Sequence, residues 1–86
     1  MLELYQSEGC PHCAKVREKL SELGVSYVVH NPRLPGGVGG DVTNELTYEE
    51  LTAGGADQIP YLVDTERETT LYESDDIVEY LEETYA

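Results

Sequence analysis

The chain has 86 residues, with 18 acidic side chains against five basic ones and a formal charge of −13. A chain this short builds one modest core, burying about 60–65% of its unfolded surface, and its charge would repel nucleic acids and anionic lipid heads. Two cysteines in all, with seven Tyr and no Phe or Trp, are too few to staple a secreted scaffold.

No basic start leads into an apolar run and no apolar stretch is long enough to span a membrane, so the expectation is a single cytoplasmic domain over 1–86, without a signal peptide. The acid excess fits a well-solvated surface. It also fits, more sharply, a halophile's cytosolic protein, whose carboxylates hold water and whose self-repulsion is screened by salt.

Leu2-Glu3-Leu4-Tyr5 alternates with the two-residue period of a strand. Ser7-Glu8-Gly9 turns the chain, and Pro11 suits the first turn of a helix. Cys13, Val16, Leu20 and Leu23 then recur at three- and four-residue steps as one buried stripe, and Gly24 closes the helix. This places Cys13 on the inward face and Cys10 at the exposed N-terminal end. Val25 to His30, rich in β-branched and aromatic residues, reads as a second strand, parallel to the first across a βαβ unit.

Asn31 to Gly40 is a loop of prolines and glycines, expected to be mobile and near the site. Its Gly-rich part, residues 35–40, lacks the spacing of a phosphate cradle. Thr47 with Glu50 has the capping-box arrangement, predicting a short helix through Leu51 to Gly54-Gly55, starting as early as Thr43. Tyr61-Leu62-Val63 and Thr69 to Tyr72 form a hairpin across the polar Asp64–Glu68 turn. Ser74 caps a last helix with Asp75 and Asp76 in its first turn and Ile77, Val78, Leu81 and Tyr85 on its buried face. The order is βαβαββα, an α/β chain with a mixed four-stranded sheet and three helices.

The chemistry centres on Cys10-Pro11-His12-Cys13. A close pair of thiols in such a chain is either redox-active or metal-binding. The surroundings favour redox. The expected place of Cys10 at a helix N-terminus offers unpaired N–H groups and partial positive charge to a thiolate. His12 adds a polar, sometimes cationic neighbour. Three of the five basic residues, Lys15, Arg17 and Lys19, lie in this helix; Arg17 and Lys19 read as partners of Glu18 and Glu22 on a solvated face, while Lys15 is close enough to act on the site. Cys10 then attacks a disulfide, and Cys13 resolves the mixed disulfide or is bypassed by a second small thiol. Ile59-Pro60 reads either as an ordinary strand opening or as a cis-proline beside the thiols.

The chain resembles the glutaredoxins, with their thioredoxin-like fold, nearly end to end: a strand, CPxC as Cys10-Pro11-His12-Cys13, Gln58-Ile59-Pro60 opening a hairpin, and Glu73-Ser74-Asp75-Asp76-Ile77 at the last helix. The last motif also resembles the Glu-Ser pair of glutathione-transferase N-terminal domains. The resemblance implies a cis peptide at Pro60 and binding of glutathione, or a related γ-glutamyl thiol, at Ile59, Glu73, Ser74 and Asp75. It implies no tightly bound cofactor, disulfide-bearing proteins as partners, and a monomer. Three departures stand out. Ser7 occupies the position where glutaredoxins carry a lysine, His12 replaces their usual Tyr, and the Gly-rich loop is longer.

The expected function is therefore a glutaredoxin-like thiol–disulfide oxidoreductase with Cys10 as nucleophile and Cys13 as resolving thiol. The competing reading is metal binding. Zinc would be held by Cys10, Cys13, His12 and His30, or an iron–sulfur cluster by Cys10 and a small thiol between two protomers. Neither has the paired CxxC spacing that would carry it.

Overall fold

A computed structural model describes all of residues 1–86. The Leu-x-Leu alternation forms β1 (Leu2–Tyr5), followed by α1 (Pro11–Leu23), β2 (Tyr27–His30), α2 (Glu45–Thr52), β3 (Tyr61–Asp64), β4 (Thr69–Leu71) and α3 (Ser74–Tyr85). The strands lie in the order β2-β1-β3-β4. β1 runs parallel to β2, Leu2 opposite Tyr27, and antiparallel to β3, Leu4 opposite Leu62. β3 and β4 form the hairpin. This is the mixed sheet and element order expected from the sequence.

The period-two alternation sorts the strands' side chains onto two faces. Leu2, Leu4 and Leu62 meet Val16 and Leu20 of α1 and Ile77 and Leu81 of α3. The opposite face packs Tyr5 and Tyr61 against Leu51 of α2. With no Phe or Trp available, this second core uses tyrosines, whose hydroxyls need partners when buried. A row of rings crosses the sheet: His30 stacks on Tyr5 (4.4 Å), Tyr61 is tilted against Tyr5 (5.5 Å), and Tyr72 stacks on Tyr61 (4.2 Å). Tyr5 donates to Glu50 and Tyr72 to the Leu51 carbonyl, which fixes α2 on this face. Gly54 leaves room for the Tyr61 and Tyr72 hydroxyls, where a Cβ would collide with both.

Helix ends differ from the sequence expectation by small, explicable shifts. α2 is capped by Asn44, whose Oδ1 accepts the Thr47 N–H at 3.1 Å. Thr47 is thus inside the helix rather than its cap, because Asn44 satisfies the orphan donor one turn earlier. α3 takes Glu73, not Ser74, at its cap position, with no side-chain capping bond. Gly24 ends α1 in the left-handed conformation at φ 68°, as expected. β2 begins at Tyr27 rather than Val25, and β4 ends at Leu71, releasing Tyr72 to the second core.

The Gly-rich loop folds back on itself. Arg33 bridges Val42, and the Gly40 N–H donates to the Leu34 carbonyl. It also lies against the β1–α1 turn, where the Gly36 N–H donates to the Glu8 carbonyl at 2.9 Å. At the far end of the sheet, fully buried Asp64 accepts from the hydroxyls of Tyr80 and Tyr85, each at 2.7 Å, and from Arg67. No helix is long and apolar enough to cross a membrane.

Candidate functional site

Cys10 leaves β1 through the Ser7–Gly9 turn and becomes the N-cap of α1, with Pro11 at the first helical position. Its sulfur accepts the Cys13 N–H at 3.4 Å, so the thiol itself takes the place of a capping oxygen. Both cysteines are free thiols. Cys13 is on the inward face, as expected. Cys10 is not exposed as expected: it is only 2% accessible. The turn that delivers it is buried at Ser7, whose hydroxyl donates to the Leu34 carbonyl, so the β2–α2 loop packs onto this corner. Burial, then the hydrogen bond with Cys10, pushes the Cys13 thiol up to about 12, against the lowering effect of the Ser7 backbone and Arg17.

Beside this corner lies a cleft of about 280 Å³. The three segments that form it are the first turn of α1 (His12, Lys15), the Ile59-Pro60 entry to β3, and the start of α3 (Glu73, Ser74, Asp75). The Ile59–Pro60 peptide is cis. Residues from three distant stretches of sequence are thus brought together, while neither Cys10 nor Cys13 is among the lining residues. Gln58 and Tyr72 also line it. Neither stood out from the sequence as a site residue, although Gln58 adjoins Ile59-Pro60. Its amide donates to Glu73 at 2.9 Å.

The three basic residues of α1 go to three different places. Lys15 reaches Asp75 across the cleft at 2.7 Å, and that hydrogen bond holds the Asp75 carboxyl below its ordinary range. Lys19 pairs with Glu82 of α3 at 2.6 Å as well as with Glu22. Arg17 departs from the sequence expectation: it turns back to Glu8 and Gln6 rather than to an acid of its own helix face. Gln6 is nearly fully buried at the end of β1, so its carbonyl oxygen offers Arg17 a fixed acceptor.

The four zinc ligands suggested by the sequence do not assemble. No three His, Cys, Asp or Glu side chains converge as ligands of one ion. His30 lies on the α2 side of the sheet, its ring stacked on Tyr5 and its Nε2 2.7 Å from Glu3.

The cleft thus joins the His12 and Lys15 turn that follows the buried Cys10, a cis-proline and an uncapped helix N-terminus. The family model of the glutathione S-transferase N-terminal domain matches residues 4–86. The chain belongs to this family. Of its two sequence resemblances, the one carried by Glu73-Ser74 is therefore the one the family match supports. The fold of this transferase-type domain matches glutathione S-transferase 1-6 from Anopheles dirus species B at 28% identity and a TM-score of 0.75, covering 98% of this chain and 36% of that one. It matches a glutathione S-transferase from the Antarctic clam Laternula elliptica at 25% identity and a TM-score of 0.73, covering 98% and 35%. A diazinon-metabolizing glutathione S-transferase of the silkworm Bombyx mori gives 26% identity and a TM-score of 0.70 over 99% and 38%. The chain thus spans little more than a third of the length of these structures. No curated protein sequence matches it at a comparable level.

Proposed function

We propose that this transferase-type domain is a cytoplasmic thiol–disulfide oxidoreductase that works with glutathione or a related γ-glutamyl thiol. The observation that carries the reading is the Cys10 sulfur standing as the N-cap of α1, accepting the Cys13 N–H. A thiolate there is stabilised by the same N–H groups and helix dipole that favour any anion at a helix start.

The Cys10 thiolate attacks the sulfur of a mixed disulfide. A Cys10–S–S bond forms, the substrate's S–S bond breaks, and the departing thiolate takes a proton. Either a second small thiol then attacks the mixed disulfide, or Cys13 does, releasing the bound thiol and leaving a Cys10–Cys13 disulfide. With its thiol raised to about 12, Cys13 is almost entirely protonated at neutral pH, so the small-thiol route carries most turnover.

In this reading the cleft holds the thiol. The Ile59 backbone pairs with its cysteinyl part beside Pro60, and the free N–H groups at Ser74 and Asp75 receive its γ-glutamyl carboxylate. Asp75 and Glu73 receive the ammonium. Pro11 and His12 shape the ring between the thiols, and Lys15 modulates it from the cleft wall. The protein acts as a monomer on disulfide-bearing proteins, with no metal and no tightly bound cofactor.

The family and the length of its relatives favour a second reading, in which the chain is the thiol-binding third of a transferase that adds the thiol to electrophiles. One assay separates them. Native protein is given glutathione with a glutathione mixed disulfide, and separately with an aromatic chloride electrophile, in low and high salt. The exchange reading predicts turnover of the first substrate; turnover of the electrophile alone supports the transferase. Inertness to both rejects glutathione as the thiol. Asp75→Asn is expected to raise KM for glutathione by roughly tenfold with kcat little changed, the loss of one charge-assisted contact.

A further inference from the structure

The exchange reading leaves one step with a physical difficulty. Cys13 must become a thiolate while fully buried, and burial is the largest influence opposing that. Arg17 lies four residues on, one turn along the same face of α1, where i and i+4 side chains are neighbours. Its partly buried guanidinium folds back onto the β1–α1 turn. Nη1 donates to Gln6 Oε1 and lies 3.4 Å from Glu8 Oε2. Gln6 is itself fixed, because it is buried and its amide donates to Asn31 Oδ1 at 2.6 Å. The chain Asn31–Gln6–Arg17 therefore draws a cation back along α1 toward the end that carries the two cysteines. Lys15 and Lys19, by contrast, are committed to Asp75 and Glu82.

We propose that Arg17 is a positioning residue for the resolving step, its guanidinium held by Gln6 so that it stabilises the Cys13 thiolate as it forms. The inference rests on the exchange reading. Cys13 loses its proton to water and attacks Cys10 of the mixed disulfide. The Cys10–Cys13 bond forms, the bond from Cys10 to the small thiol breaks, and the released thiolate takes up a proton. The two thiols of the protein supply both electrons. The groups acting on the Cys13 sulfur are Cys10 from the cap, the Ser7 backbone from the β1–α1 turn, and Arg17 from α1. Among these Arg17 has the only full positive charge, moderated by Glu8.

The test has two arms. In the first, Cys10 is loaded with glutathione, and release of the glutathione by Cys13 is followed against pH in native protein, Arg17→Gln and Arg17→Lys. Arg17→Gln is expected to slow release about tenfold at neutral pH and to displace the pH profile upward by about one unit, while Arg17→Lys restores most of the rate. In the second, Cys13 is alkylated at alkaline pH in a Cys10→Ser background, where the rate follows the thiolate fraction without any exchange chemistry. Arg17→Gln should lower that rate and Arg17→Lys should not. Unchanged alkylation in Arg17→Gln, or a lysine variant as slow as the glutamine one, overturns the proposal. If the native protein cannot be loaded at Cys10 the exchange reading fails, and the alkylation arm still decides the role of Arg17.

Discussion

Two buried groups show how a residue's surroundings, more than its type, decide its chemistry. Cys13 is held protonated by burial, so alkylation at neutral pH should leave it unmodified; a Cys13 adduct in the peptide map would contradict this. Asp64 is the opposite case. Burial disfavours its charge, but two tyrosine hydroxyls and Arg67 outweigh that and hold its carboxyl below the ordinary range. A carboxyl lowered on folding contributes stability that is present above its unfolded pKa and lost as pH falls through the folded one. Asp64→Asn should therefore cost about 1.5–3 kcal/mol at neutral pH, the range for hydrogen bonds to a charged group. The difference from native protein should shrink in acid. A gap that stays constant in thermal melts down to the acid limit would show that Asp64 acts by shape alone.

At the level of elements, the two candidate caps of α2 give a direct comparison. Asn44→Ala should destabilise by about 1 kcal/mol, whereas Thr47→Ala, which removes no capping bond, should cost much less; chemical denaturation of the two variants reads the difference. The same helix shows what could be read from the sequence. Its existence followed from the Thr47–Glu50 spacing, but Asn44 can cap as well as Thr47, and only the path of the loop into Glu45 chooses between them. The strands, α1 and the close of α1 at Gly24 were legible because periodicity and a required left-handed residue are local signals. The cleft was legible in its parts: His12, Lys15, Ile59, Pro60, Glu73, Ser74 and Asp75 do meet. The burial of Cys10 was not, since it depends on Ser7 and Leu34, residues 27 apart in the chain. The partners of Arg17 were hidden for the same reason, because Gln6 belongs to another element and carries no charge to attract notice.

At the scale of the whole molecule, charge is the governing quantity. All five basic side chains are paired with acids: Lys15, Arg17, Lys19, Arg33 and Arg67. Beyond these, Glu22 shares Lys19 and Glu66 meets the N-terminal ammonium, and most of the other acids of a chain at −13 have no cation to meet. Apart from Arg67–Asp64, whose buried carboxylate is little screened, the pairs lie at the surface and contribute about 0–1 kcal/mol each, so screening them costs less than screening the net repulsion gains. Raising ionic strength from about 0.1 M to 1 M, which shortens the screening length from about 10 Å to 3 Å, should raise Tm. A fall in Tm would mean that the five pairs outweigh the surplus acid, and would count against a halophilic origin.

The central claim, that Cys10 is the nucleophile of a thiol–disulfide exchange, is tested most directly by comparing Cys10→Ser and Cys13→Ser with native protein in the reduction of a glutathione mixed disulfide. Since Cys13 is held protonated, activity should vanish in Cys10→Ser and persist in Cys13→Ser, which should also accumulate one glutathione on Cys10 when the free thiol is withheld. Activity retained in Cys10→Ser, or glutathione trapped on Cys13 instead, would contradict the account.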